Sequence, residues 1–223
     1  MASGHNLKVL KVPISDQALL TTREKIILLQ GSKLHGSVFP PWTDSPASNE
    51  FEGQFEDSTE FSFSREQLEV FDGWRRPQPA DGSANAKRTE KVDLVQDVTT
   101  DCSVVASLCA STARTERLGP SHESIISAIM FPQTGLSNNG KYIFKFHFNG
   151  CCRKVIVDDR LPSSKTTRAL HVFDRSNGGV YWPALVEKAY LKVRGGYDFP
   201  GSNSGTDLWI LTGWIPEQLF LQR

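Results

Sequence analysis

Six residues, Trp182, Leu185, Val186, Ala189, Tyr190 and Val193, recur at spacings of 3, 1, 3, 1 and 3, the period of a helix with one face packed against a core. Gly195-Gly196 follows as a natural helix end. Upstream the period drops to two. Tyr142, Phe144, Phe146 and Phe148 alternate with polar or less bulky residues, Asn149-Gly150 supplies a tight turn, and Arg153 to Asp158 returns as a second strand. A chain that changes period in this way must bury a sheet face against helices, which predicts an α+β unit. A further helix is expected from about Cys102 to Arg117, N-capped by Asp101, with Val105, Leu108, Cys109 and Thr112 inward and Gly119-Pro120 as its stop. Another is expected over Ser121 to Met130, where Ile125, Ile126 and Ile129 hold helical spacing.

The N-terminal third reads differently. Thr22 to Gln30 suits a short amphipathic helix, and Ser64 to Trp74 suits a second. Between them, Phe39-Pro-Pro-Trp42 and the acidic, Ser-rich run from Thr43 to Ser62 lack any period. Arg75 to Arg88 reads as a connector. The expected division is an irregular arm and connector over residues 1–85 and a compact domain over 86–223.

With 25 basic and 25 acidic residues, no whole-chain field favours nucleic acid or an anionic surface. No apolar run reaches the roughly 18 residues of a membrane span, and the N-terminus lacks the pattern of a secretory signal. A cytoplasmic address is therefore expected. The four cysteines are Cys102, Cys109, Cys151 and Cys152, and the adjacent pair is a poor start for a disulfide framework in so large a chain, so free thiols are expected. Neither C-x-x-C nor H-E-x-x-H is present, which leaves zinc without a ligand pattern.

Cys102 stands at the predicted first turn of a helix, directly after Asp101 and six residues after Gln96. Unpaired backbone N–H groups and the helix dipole stabilise a thiolate at such a position. A preorganised donor is the second requirement of acyl chemistry, because the tetrahedral intermediate carries an oxyanion; the Gln96 amide is the candidate. A cysteine near a helix start is more often simply a small buried residue, so its context must decide.

That context is a resemblance to the calpain family of cysteine proteases. Gln96-Asp-Val-Thr-Thr-Asp101-Cys102-Ser103 has the Q-x5-C spacing and D-C pair that open the calpain catalytic domain. Val157-Asp158-Asp159-Arg160-Leu161-Pro162 resembles its VDDxLP segment, and Trp182-Pro-Ala-Leu-Val-Glu187-Lys188-Ala189-Tyr190 its W-x-A-L-x-E-K-A-Y helix. Phe39-Pro-Pro-Trp42, Lys192 to Ser204 and Leu211 to Glu217 are most similar to atypical, endosome-linked calpains of the fungal PalB type. The resemblance implies a papain-like core, here its N-terminal, cysteine-side lobe, and an intracellular endopeptidase acting on protein substrates. Gln96 then polarises the scissile carbonyl and Cys102 attacks it. For the PalB branch it further implies limited processing in ambient-pH signalling, with recruitment to endosomal sorting complex components.

Two departures follow from the same resemblance. Ser103 stands where the family has a Trp in the oxyanion wall, and the G-H-A and N-P-W motifs that bring the catalytic His and Asn do not occur in these 223 residues. His5, His35, His122, His147 and His171 are poor substitutes, so the lobe by itself is expected to be inactive, as a fragment of a longer protease would be. Calcium is the other departure. Asp93 matches one acidic ligand of the family's core site, but Val180 replaces the other, and the loss of a carboxylate should leave calcium regulation weak or absent. No cofactor is required for the peptide chemistry itself. Asp158 and Asp159, adjacent on a strand, point to opposite faces and suit packing and turn roles better than acid–base catalysis. Trp209, Ile210 and Trp214 are expected on an exposed inter-lobe face. The alternative reading is a non-catalytic interaction module built on the same lobe; a thiol oxidoreductase has no resolving cysteine to support it.

Overall fold

The computed structural model describes residues 20–77, 92–119, 124–133, 136–176, 180–217 and 219. In chain order the arm holds α1 (Thr22–Gln30), β1 (Lys33–Leu34), β2 (Ser37–Val38), a 3-10 turn (Ser48–Phe51), α2 (Arg65–Val70) and β3 (Phe71–Arg75). The remainder supplies β4 (Leu94–Val95), α3 (Cys102–Leu118), α4 (Ile125–Ile129), β5 (Met130–Phe131), β6 (Lys141–Phe148), β7 (Cys151–Asp158), β8 (Leu161–Ser164), β9 (Phe173–Asp174), α5 (Trp182–Arg194) and α6 (Ser204–Thr212). The architecture is α+β.

The hairpin forms where its period predicts. β6 and β7 pair antiparallel from Lys141↔Asp158 to Phe148↔Cys151, and Asn149 and Gly150 both take positive φ, 45° and 84°, at the turn. β5 adds a third antiparallel strand beside β6. Helix α5 is almost wholly buried and ends at Gly195, whose φ of 107° suits a residue without Cβ. Its Leu185, Val186, Ala189, Tyr190 and Val193 join Val104, Leu108, Phe144, Phe146, Val155 and Val157 in one core. On α3 the buried face carries Ser107, Ser111, Thr112 and Thr115. Each of these hydroxyls donates to the carbonyl four residues back, so polar side chains enter the core without leaving unmet donors.

Several expectations change. The helix expected over Ser64 to Trp74 stops at Val70. Phe71–Arg75 is a strand that pairs antiparallel with β8, because Phe71 and Trp74 are drawn into a ring cluster with Phe61, Phe63 and Tyr197. The helix expected over Ser121 to Met130 is observed as Ile125–Ile129, and residues 120–123 lie outside the described residues. Ile210 is buried and Trp209 packs against the core, since α6 lies on α3 and β6; of the expected inter-lobe face, Trp214 alone is exposed, next to an exposed Ile215.

The irregular arm is bolted to this core by polar groups. Arg153, on β7 and fully buried, donates to the carbonyl oxygens of Leu28, Phe39, Phe148 and Asn149 and to Ser32 Oγ, at 2.7–3.1 Å. Asp57 accepts both Lys192 Nζ contacts, at 2.9 and 2.8 Å. Ser62 O accepts from Tyr197 N at 2.8 Å, so close that a Cβ at Gly196 would lie 2.7 Å from Ser62 N. Replacing Arg153 by Met would strand these acceptors inside the fold. The expected loss is about 3 kcal/mol of unfolding free energy by denaturant titration, with early proteolytic release of residues 20–75; an unchanged midpoint would contradict the role given to Arg153.

Candidate functional site

The loop from Gln96 to Asp101 is tied down from three directions before it reaches Cys102. Asp97 accepts from Arg168 Nε at 2.7 Å and Ala169 N at 2.9 Å. The Gln67 amide of the arm donates to Val98 O and to Tyr197 O, at 3.4 and 2.8 Å, and the Thr100 hydroxyl donates to Phe199 O. The first intrahelical bonds of α3 run from Val104 N and Val105 N back to Asp101 O. The amides of Cys102 and Ser103 precede them, at the positive end of a 17-residue helix. Cys102 is exposed at that end, whereas Cys109, Cys151 and Cys152 are partly covered.

Asp101 occupies the N-cap position, but its side chain makes no capping bond. The carboxyl turns inward instead, at 1% exposure, where Gln96 Nε2 reaches Asp101 Oδ1 at 2.9 Å. The same amide nitrogen also donates to Thr99 O. The structure thus joins Gln96 to the Asp101-Cys102 step, with both amide hydrogens turned into the loop. Ser103 has a buried hydroxyl without a partner, and offers none of the donor reach of an indole at that place.

Beneath this loop lies Glu187 of α5, with no exposed surface. Its Oε2 accepts from Val172 N at 2.9 Å, and its Oε1 lies 3.5 Å from Thr99 Oγ1. Burial, and after it the charge of Asp101, push the Glu187 acid well above the ordinary carboxylate range. Burial also raises Asp101, against a hydrogen bond from Glu187 that holds it down. The sequence signal for Glu187 was present: a Glu-Lys pair set inside a helix whose neighbours are apolar on every side. That pattern marks a motif and does not by itself place Glu187 in the site.

Asp93 is elsewhere. Its carboxylate pairs with Arg175 at 2.8 Å, and its backbone N–H donates to Asp174 Oδ1, which also accepts from Ser176 N and Oγ. Val180 presents an apolar side chain, and among the described residues no three His, Cys, Asp or Glu side chains gather as a metal-binding group. Calcium takes six to eight oxygens, and here the Asp93 carboxylate is engaged by an arginine. Asp158 and Asp159 go to different partners, Lys188 with Arg160 and Arg76 respectively.

The described histidines make their contacts away from Cys102. His35 sits in the β1–β2 turn facing Gly195, and His171 has Nδ1 2.9 Å from Val172 O. His147 is half-buried next to Gly213 at the end of α6, and burial lowers its pKa. His5 and His122 lie outside the described residues.

Comparison with known proteins gives a consistent family assignment. The model of the calpain family cysteine protease domain matches residues 49–222, beginning inside the arm. The calpain-like protease palB/RIM13 of Aspergillus oryzae is 56% identical over 96% of this chain, and palB/cpr-8 of Neurospora crassa is 53% identical over 95%. Human Calpain-7 is 36% identical over 89%. The chain covers 27%, 24% and 25% of these three relatives, about a quarter of their length.

The raised Glu187 acid has a consequence for stability. Between the ordinary glutamate value of 4.5 and its raised value, the folded state keeps a proton that the unfolded chain has released, so stability falls as pH rises through that window. Glu187→Gln removes the titrating group. The denaturation midpoint of the wild type, relative to that of Glu187→Gln, should therefore decline steadily as pH rises above about 4.5; parallel pH profiles would refute the assignment.

Proposed function

The chain belongs to the calpain family of cysteine proteases, and on that premise we propose that its 223 residues furnish the nucleophilic half of a thiol endopeptidase site. The observation that carries this reading is an exposed Cys102 at the start of a long helix, on a loop whose Gln96 amide is already directed to the neighbouring residue. In the proposed reaction the Cys102 thiolate attacks the scissile carbonyl carbon, forming the S–C bond and placing negative charge on the carbonyl oxygen. Gln96 turns one amide hydrogen from Thr99 O to that oxygen. Collapse of the intermediate breaks the C–N bond, and the amine leaves with the proton that a histidine took from the thiol. Water then hydrolyses the thioester. The histidine and its orienting asparagine come, in this reading, from a second half-domain of calpain type.

Protein substrates follow from the family. Limited processing in ambient-pH signalling and recruitment to endosomal sorting complexes extend the proposal to the PalB branch. Among the described residues no helix is long and apolar enough to cross a membrane. No metal is needed for the proposed chemistry, and the pairing of Asp93 with Arg175 supports a site that works without calcium.

Two measurements test this. The lobe alone should hydrolyse no peptide substrate, while the lobe supplied with a histidine-bearing calpain half-domain should do so, with a loss of several orders of magnitude on Cys102→Ala. Cleavage by the lobe alone, or cleavage that survives Cys102→Ala, would sink the proposal. Calorimetric titration with calcium should show no saturable micromolar binding; a clear isotherm at that concentration would overturn the calcium-free reading.

A further inference from the structure

Asp101 and Glu187 form a carboxyl pair sealed from water, at 1% and 0% exposure. Gln96 Nε2 serves Asp101 Oδ1, and Val172 N and Thr99 Oγ1 serve the two oxygens of Glu187. Asp101 Oδ2 has no such donor. Thr99 ties the two acids together: its Oγ1 lies 3.5 Å from Glu187 Oε1, and its carbonyl shares the Gln96 amide with Asp101. The other titratable groups facing the pair are Asp207, toward Asp101, and Tyr197, whose buried hydroxyl likewise lacks a partner. These are acids and a phenol, so they supply no positive charge. Two dry carboxylates in contact cannot both stay ionised without a cation. One proton between them removes the repulsion and gives Asp101 Oδ2 its missing donor.

We propose that Glu187, held as the neutral acid, is a positioning residue for the thiol site: it donates its carboxyl proton to Asp101 Oδ2, and Asp101 so fixed directs the Gln96 amide beside Cys102. Burial, and after it the neighbouring Asp101 charge, favour the neutral form of the acid. The shared proton also limits the pair to one negative charge next to the nucleophile. The inference rests on the reading of Gln96 and Cys102 given above, and deepens it by naming a residue from a distant helix.

Glu187→Gln keeps a neutral donor at the same place, whereas Glu187→Met keeps the volume and removes the donor. The direct readout is the side-chain amide of Gln96 by NMR, assigned by its disappearance in Gln96→Ala. In the wild type and in Glu187→Gln those hydrogens should be displaced from free-glutamine positions and protected from exchange. In Glu187→Met the hydrogen directed at Asp101 should move toward its free-glutamine position, with exchange faster by roughly tenfold, the loss of one hydrogen bond. Infrared spectroscopy at neutral pH should show a protonated carboxyl in the wild type that Glu187→Gln lacks, and this measurement decides by itself if Glu187→Met does not fold. A folded Glu187→Met with unchanged Gln96 signals, or a protonated-carboxyl band that persists in Glu187→Gln, would overturn the proposal. Failure of the underlying reading looks different. Wild-type Cys102 alkylated no faster than Cys109, whose pKa burial raises, would overturn the thiol site and with it the role of Glu187, whatever the Gln96 signals show.

Discussion

Lys188 and Asp158 meet inside the protein at 2.5 Å, at 2% and 0% side-chain exposure, and the arrangement of the arm, the hairpin and α5 depends on that contact. Burying two charges is expensive unless geometry and further hydrogen bonds offset the lost hydration. Here they do. Lys188 also donates to the carbonyls of Asp158 and Arg160, and Asp158 accepts from Arg160 Nε and Asp57 N. The rings of Phe61 and Trp74 lie over the ammonium at 5.6 and 4.9 Å, a favourable contact for a desolvated cation. Desolvation alone would raise the Asp158 acid, but the charge and hydrogen bond of Lys188 outweigh it and hold the carboxyl below its ordinary range.

One residue earlier on the same helix, Glu187 does the opposite kind of work. Neighbours on a helix point in directions about 100° apart, so α5 sends Lys188 toward the arm and the end of β7 and sends Glu187 toward the loop that carries Cys102. Lys188 is matched by a carboxylate and forms an ion pair. Glu187 faces another acid and has to share a proton. A single buried helix thus couples the outer layer of the lobe to the nucleophile through two adjacent side chains whose electrostatic surroundings differ in sign.

The arm belongs to this coupling. Gln67, 1% exposed, touches both Val98 before the nucleophile and Tyr197 after α5, and Arg153 fastens α1 and Phe39 to the hairpin turn. A segment without hydrophobic period can still be well ordered when its backbone carbonyls meet buried donors. That explains why residues 43–62 lack any periodic signal and yet supply Asp57 and Phe61 to the centre of the ion-pair network.

The sequence by itself determined the hairpin, both long helices and the position of Cys102 at a helix start, because those features rest on local period, on Asn149-Gly150 at positive φ and on a helix-ending glycine. Its resemblance to calpains also marked Gln96 and Cys102. Tertiary structure decided the rest. Phe71 to Arg75 became a strand because β8 offered a pairing edge and Tyr197 a ring to pack on. Asp101 gave up its capping bond because a buried donor and a buried acid lay on its other side. Asp93 became a partner of Arg175, a residue 82 positions away. Glu187 entered the site only when α5 was laid beneath the loop. Each of these outcomes depends on groups far apart in the chain, and the energy of a buried charge is set by what surrounds it in space, which local spacing does not encode.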